Sequence, residues 1–170
     1  MSYGRRDPDA HLAEVARGLG LDGPGVGLMT GVDVADRSSA TDAGVVVVAT
    51  VGLGSPTWAA APDGDHRRLP GTINIVGYVP AALGQAAQVN AALTATEAKA
   101  QALWALGVEA TGTASDALCV LCPAAGDGET YGGPRSTWGA RLARAVHRAV
   151  LDGGKRWLAG GTAWSDRQAR

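Results

Sequence analysis

The sequence contains no phenylalanine, and aromatic residues make up only 5% of its 170 residues. A chain with so few rings has little with which to stack nucleic-acid bases. It also lacks a basic surplus, because fifteen basic side chains face sixteen acidic ones and the net charge is -1. Nucleic-acid-binding proteins usually carry such a surplus, so we expect no nucleic-acid partner.

Cysteines and long apolar runs are equally scarce. Two cysteines, Cys119 and Cys122, cannot build a disulfide framework, and we interpret them as small buried hydrophobic residues rather than zinc ligands. The longest apolar run, Val45–Leu53, is shorter than the roughly 18 residues of a membrane span, and the polar N-terminus lacks the apolar stretch of a secretory signal. The sequence therefore predicts a cytoplasmic protein with no membrane partner and no metal site.

The hydrophobic pattern predicts seven elements in the order α-β-β-β-α-β-α. A helix starts at Pro8, and a helical stretch from residue 80 to residue 107 divides into two if Thr94-Ala95-Thr96-Glu97 is a capping box. The last helix begins at Ser136 and is expected to stop at Gly153-Gly154. The predicted strands cover residues 26–32, 44–51, 72–79 and 117–122.

Three consecutive strands without intervening helices argue against simple βαβ alternation. We therefore predict an α+β fold, a single layered domain in which helices pack on a mostly antiparallel or mixed sheet, with an α/β fold as the alternative. The domain is expected to span residues 1–152, and residues 153–170 to form a loosely held C-terminal tail.

Two segments place polar residues in apolar surroundings. Asn74 lies between two isoleucines of a predicted strand and should face away from both. It is either a substrate-binding residue or a structural amide that ties a loop to the sheet. Glu97 suits a general acid or base if it is buried, and a helix cap otherwise. Lys99 is one of only two lysines, against thirteen arginines, and is either specifically placed or a solvated helix residue.

The densest polar cluster is Thr111-Gly112-Thr113-Ala114-Ser115-Asp116, just before a predicted strand. Backbone N–H groups in such a glycine-centred turn can hold an oxyanion, and a hydroxyl there can act as nucleophile if a base lies beside it. The alternative is a turn whose side chains only cap the strand.

The chain resembles the adenosylcobinamide amidohydrolases, the CbiZ family, over residues 7–152. Six segments occur in the order of that family, and Thr-Glu-Ala-Lys is intact among them. The segments are Gly27-Leu28-Met29-Thr30, Ala49-Thr50-Val51-Gly52, Pro70-Gly71-Thr72-Ile73-Asn74-Ile75, Thr94-Ala95-Thr96-Glu97-Ala98-Lys99, Thr111-Gly112-Thr113-Ala114-Ser115-Asp116 and Tyr131-Gly132-Gly133. Departures also occur, because Ala114-Ser115 stands where the family has Gly-Thr. In the loop Gly54-Ser55-Pro56-Thr57-Trp58 the asparagine of the family is absent, and Pro56 stiffens the loop.

The resemblance implies hydrolysis of the amide that joins aminopropanol to a side chain of the corrin ring. The products would be adenosylcobyric acid and aminopropanol, in the salvage of cobinamide for cobalamin synthesis. No cofactor is implied, because cobalt would arrive within the corrinoid substrate. A non-catalytic corrinoid-binding or carrier module is the alternative, and a homo-oligomer is possible.

The expected site joins the 111–116 turn to Asn74 and to the helix that carries Lys99. Its members divide into residues expected to take part in the reaction and residues expected to contact the substrate. The catalytic candidates are Glu97, Lys99, Thr113, Ser115 and Asp116, and the substrate-binding candidates are Thr72, Asn74, Thr111, Gly112 and Tyr131.

Overall fold

The computed structural model describes residues 4–63, 71–126 and 128–161. Its helices and strands alternate irregularly along these segments, and a single turn of 3-10 helix precedes the first strand. In chain order they are α1 (Pro8–Gly18), β1 (Ser38–Asp42), β2 (Val45–Leu53), β3 (Pro56–Thr57), β4 (Gly71–Tyr78), α2 (Gln85–Ala105), β5 (Gly112–Thr113), β6 (Ala117–Leu121) and α3 (Thr137–Leu158).

The main sheet has four strands in the order β1-β2-β4-β6. The first three strands pair antiparallel. Strand β6 then pairs with β4 in parallel, and Ala117 of β6 lies opposite Asn74 of β4. A parallel neighbour requires a crossover, and α2 supplies it. The short strands β3 and β5 form a separate antiparallel pair. The expected α+β fold with a mixed sheet packed by helices is therefore confirmed.

One face of the sheet carries the core. Alternate residues of β2 and β4 are buried there against α2 and α3, because successive side chains of a strand point to opposite faces. Gly77 allows close approach of α3, since a Cβ atom at this position would lie 2.8 Å from a methyl group of Leu142. The other face is less completely covered, and Val46, Tyr78 and Leu121 are exposed on it.

The outer edge of the sheet at β1 is bound to α3 by arginines. Arg144 forms two hydrogen bonds with the Asp42 carboxylate at 2.7 and 2.9 Å, and Arg148 donates to the carbonyl of Thr41. The Arg144 guanidinium lowers the pKa of Asp42 from its ordinary value. These contacts occupy an edge that would otherwise be open to pairing with another chain.

Two predictions about strands are corrected. Residues 26–32 do not form a strand but an irregular, glycine-rich segment that crosses the sheet at Asn74. The strand that does precede β2 is β1, which the sequence analysis missed because its Ser-Ser-Ala-Thr-Asp sequence is polar and short. It pairs with β2 through a tight turn in which Ala43 and Gly44 both have positive φ.

Two predictions about helices are also corrected. The helix α2 is continuous from Gln85 to Ala105, so the capping-box interpretation of Thr94 is wrong, and Thr94 is buried in mid-helix. The helix α3 does not stop at Gly153-Gly154 but continues to Leu158. Both glycines are buried where α3 meets the sheet and α2, because a Cβ atom at Gly153 would lie within 3 Å of Val51. The rest of the expected tail, from residue 162 onward, lies outside the described residues.

Within the described residues, no helix combines the length and the apolar character that crossing a bilayer requires.

The start of α3 sets a strict steric requirement, and this makes a prediction. A Cβ atom at Gly139 would overlap the backbone carbonyl oxygens of Gly132 and Gly133, whereas nothing lies near a Cβ atom at Gly18 in α1. Gly139→Ala should therefore lower the free energy of unfolding by about 2 to 4 kcal/mol, against the usual helix preference for alanine. Gly18→Ala, the matched control, should raise it by up to about 1 kcal/mol. Urea denaturation measures both, and equal effects would contradict the packing described here.

Candidate active site

A buried ion pair joins α2 to the turn that precedes β6. The Lys99 ammonium group contacts Oδ2 of Asp116, and Lys99 is only 8% exposed. Lys99 can reach the turn because it lies in the C-terminal half of α2, and α2 packs against β5 and β6 on either side of that turn. Burying two charges is costly unless they are paired and hydrogen-bonded. The remaining contacts of the pair show how this requirement is met.

The carboxylate of Asp116 accepts hydrogen bonds from three donors besides Lys99. Oδ1 accepts from the backbone N–H of Ile73 at 2.9 Å and from the Thr113 hydroxyl at 2.5 Å, and Oδ2 accepts from the backbone N–H of Thr113 at 3.0 Å. Asp116 therefore ties β4, β5 and α2 together at one point. With its acceptor positions occupied, it is better suited to positioning Lys99 and Thr113 than to taking up a proton.

Gly112 makes room for the ion pair. A Cβ atom at this position would overlap Oδ2 of Asp116 and lie 2.6 Å from the Lys99 ammonium nitrogen. The sequence analysis placed this glycine at the centre of a turn whose backbone N–H groups could hold an oxyanion. The structure gives a different reason for a glycine at this position. Gly112 has no positive φ, and a side chain here would collide with the Lys99–Asp116 pair.

A recess of about 140 Å³ opens beside the ion pair, between α2 and the edge strand β6. Both charged groups line it, so the N–H donors of Lys99 that Asp116 does not engage have access to this space. The sequence analysis missed the other lining residues, among which Thr96 could have been found because it lies three residues before Lys99 on one helix face. The lining residues are Ile75, Thr96, Lys99, Asp116, Ala117 and Leu118.

Ser115 and Thr72 form a second pair of polar side chains at the same end of β4 and β6. Their hydroxyl groups share a hydrogen bond at 2.8 Å, and the Ser115 hydroxyl also donates to the carbonyl of Gly71 at 3.3 Å. Ser115 is exposed and precedes Asp116 directly, so the two side chains leave the turn in different directions. Ser115 and Thr72 do not line the recess.

Asn74 faces away from Ile73 and Ile75, as the alternation of the strand predicts. Its amide nitrogen donates to the carbonyl of Met29 at 2.6 Å, which ties the 26–32 segment to the sheet. The side chain is only 6% exposed, and its Oδ1 atom has no hydrogen-bond partner within the described residues. Asn74 is thus separated from the Lys99–Asp116 pair by the sheet itself.

Thr111 binds the loop that follows β2. Its hydroxyl accepts from the backbone N–H of Ala59 at 2.8 Å, and its own backbone N–H donates to the carbonyl of Thr57 at 3.2 Å. This contact extends the pairing of β3 with β5, so Thr111 holds the Gly54–Trp58 loop beside the turn.

Glu97 and Tyr131 lie outside this cluster. Glu97 is exposed on the outer side of α2, because residues two apart on a continuous helix face different directions and Lys99 faces inward. Tyr131 is exposed in the loop before α3, next to Gly132, whose backbone packs on Ala87 in the N-terminal half of α2. The structure brings Lys99, Gly112, Thr113 and Asp116 together and leaves these two residues apart from them.

A larger recess, of about 380 Å³, lies between α2 and α3 around His147. Its two arginines, Arg144 and Arg148, already bind β1, and none of the sequence-predicted site residues lines it. Among the residues that the structure describes, no three His, Cys, Asp or Glu side chains meet as metal ligands.

Comparison with known proteins identifies the class to which this fold and site belong. The chain is 38% identical over 129 residues to an adenosylcobinamide amidohydrolase of Halobacterium salinarum, with 72% of this chain and 55% of that protein covered. It is 28% identical over 155 residues to an adenosylcobinamide amidohydrolase of Methanosarcina mazei, with 86% of this chain and 74% of that protein covered. Both relatives carry the name of a hydrolase that acts on an amide bond.

The model of the adenosylcobinamide amidohydrolase family, CbiZ, matches residues 1–162, and the chain belongs to this family. The resemblance predicted from six short segments is thereby confirmed. The chain spans about half to three quarters of the lengths of the two relatives. No solved structure matches it.

The ion pair makes a prediction about stability. Asp116→Ala leaves the Lys99 charge buried and frees two backbone N–H groups, so it should lower the free energy of unfolding by about 3 to 5 kcal/mol. Lys99→Met leaves a carboxylate with three donors and should cost less, about 1 to 3 kcal/mol. The double variant should be less destabilised than Asp116→Ala alone, because it no longer buries an unpaired charge. Chemical denaturation of the three variants would contradict this account if Lys99→Met were the most destabilised.

Proposed function

We propose that this chain hydrolyses the amide that joins aminopropanol to the corrin ring of adenosylcobinamide. The products are adenosylcobyric acid and aminopropanol, and the reaction returns cobinamide to cobalamin synthesis. Membership of the adenosylcobinamide amidohydrolase family supports the reaction class. The observation that carries the proposal is the buried lysine at the recess, held by Asp116 on the motif segments that the chain shares with the family.

Amide hydrolysis requires a nucleophile, stabilisation of an oxyanion and a proton for the leaving amine. Lys99 is suited to the second role, because it is fixed by Asp116 and lines the recess with its remaining N–H donors. A preorganised cation in a site that excludes most water stabilises developing negative charge far better than a solvated one. Asp116 acts as a positioning residue in this scheme.

The attacking group in this proposal is water, with the Thr113 hydroxyl as the side-chain alternative. Oxygen of the attacking water bonds to the carbonyl carbon, the carbon–nitrogen bond breaks, and the protons of that water pass to the leaving amine, so that a carboxylate and an ammonium group result. Thr113 is favoured over Ser115 among the hydroxyl groups because it shares Asp116 with Lys99, whereas Ser115 bonds Thr72 and Gly71. Thr111 and Gly112 contribute to substrate binding in this scheme, because they fix the loop after β2 and the 111–116 turn.

The size of the recess limits what enters it. Sites for drug-sized ligands enclose about 300 to 1,000 Å³. A recess of about 140 Å³ admits an amide-bearing arm of the substrate but not a corrin macrocycle. The arm therefore enters between α2 and β6 while the ring stays outside. The cobalt ion belongs to the substrate in this scheme.

The role of Lys99 in the reaction is tested by substituting each of the two lysines of the chain in turn, with Lys155 as the control. Lys99 is buried at the recess and Lys155 is exposed on α3. Lys99→Met should lower kcat on adenosylcobinamide at least about 100-fold, the scale of losing one oxyanion donor, and Lys155→Met should leave it unchanged. Mass spectrometry of released aminopropanol and of the corrinoid product measures both. Equal turnover by the two variants would contradict the role of Lys99.

Two further variants test the residues that lie apart from the ion pair. Glu97→Gln and Ser115→Ala should each retain kcat within about threefold, because neither side chain lines the recess or hydrogen-bonds to Asp116, as Thr113 does. A large loss of kcat in Glu97→Gln would show that the Glu97 carboxylate takes part in the reaction. Tight binding of intact adenosylcobinamide by the unmodified protein, without release of aminopropanol, would instead favour a corrinoid-binding or carrier module.

A further inference from the structure

The helix α2 is apolar on two opposite sides. One side is buried on the sheet and α3, as a helix in this layer should be. The other side carries Val89, Leu93, Ala100 and Trp104, which we call the apolar platform. Leu93 is 57% and Trp104 67% exposed, and Val89 is exposed to a similar degree. Single exposed hydrophobic residues are ordinary on protein surfaces, but a row of them at helical spacing indicates a surface that binds another molecule.

The platform is continuous with the recess. Thr96 lines the recess and is exposed at its mouth. Residues three and four apart on a helix are neighbours, so Thr96 lies directly beside Leu93 on one side and Ala100 on the other. Trp104 follows Ala100 by the same spacing. An object too large for the recess, with one arm inside it, therefore comes to lie over these side chains.

The platform carries little charge. Among the 21 residues of α2, the only ionisable side chains of its sequence are Glu97 and Lys99. Lys99 points inward to Asp116, whereas Glu97 is exposed four residues after Leu93 and three before Ala100, so its carboxylate borders the platform. The platform residues themselves present only carbon atoms and the indole N–H.

The dimensions favour a small molecule over a second copy of the chain. From residue 89 to residue 104 a helix rises about 22 Å, and a strip about 10 Å wide gives roughly 200 Å² in projection. A stable dimer of standard size covers about 800 Å² on each partner. The strip is ample for a macrocycle and well short of a subunit interface.

We propose that the apolar platform binds the corrin macrocycle of the substrate while its amide-bearing arm occupies the recess at Lys99. This inference rests on the proposed function for the identity of the ligand. It assigns substrate affinity to Leu93 and Trp104 and the chemical step to the recess, so the two sets of residues should affect different kinetic constants.

Leu93→Gln is the test variant, and Leu158→Gln on α3 is its control, because both leucines are 57% exposed on a helix. Leu93→Gln should raise KM for adenosylcobinamide about tenfold with kcat changed less than twofold, since it removes binding that the ground state and the transition state share. Leu158→Gln should change neither constant. Identical kinetics in the two variants would overturn the proposal.

A binding measurement separates this proposal from the reaction itself. The corrinoid absorbs where tryptophan emits, so bound adenosylcobinamide should quench Trp104 strongly, and Trp104→Phe should lose that part of the quenching. Quenching without aminopropanol release would support the platform and contradict the hydrolase. Release of aminopropanol with an unchanged KM in Leu93→Gln would support the hydrolase and overturn the platform. Sedimentation velocity that shows a dimer in the unmodified protein and a monomer in Leu93→Gln would also overturn it, by assigning the strip to a second copy.

Discussion

The carboxylate of Asp116 is the interaction on which the site depends. It receives donors from three elements that are distant in the sequence, namely Ile73 of β4, Thr113 of β5 and Lys99 of α2. A buried lysine without such a partner would be unfavourable by several kcal/mol. The same contact that stabilises the fold here therefore also fixes the cation that the proposed reaction uses. Stability and chemistry are not separable at this point of the molecule.

That coupling explains why the neighbouring residues are small. Gly112 has no side chain because the ion pair occupies the space that a Cβ atom would take. Gly71 is similarly restricted, since its Cβ atom would lie 2.7 Å from the backbone nitrogen of Ser55. The loop after β2 and the 111–116 turn can consequently approach each other, and Thr111 then bonds that loop directly.

Much of this arrangement could be predicted from the sequence, and the failures have physical causes. Strand alternation placed Asn74 on the correct face, and the valine-rich run identified β2. The predicted end of the last helix was wrong because Gly153 and Gly154 do not terminate α3. They are buried within it and allow close packing. The sequence analysis grouped Glu97 with Lys99, although one continuous helix sends these side chains to different sides, because a presumed cap at Thr94 concealed this. Thr96 was overlooked for the same reason.

The sheet adds a further constraint that no local pattern reveals. Asp116 and Ser115 are adjacent in sequence, yet one bonds Lys99 above the sheet and the other bonds Thr72 at its end. Polar residues gathered in one motif are thus distributed over two surfaces, and only one of them borders a recess beside a buried cation. A reaction that needs both a fixed cation and room for an amide is therefore confined to the side of α2. In the proposed scheme, the remainder of the corrinoid lies on the apolar platform next to that recess, on the outer face of the same helix.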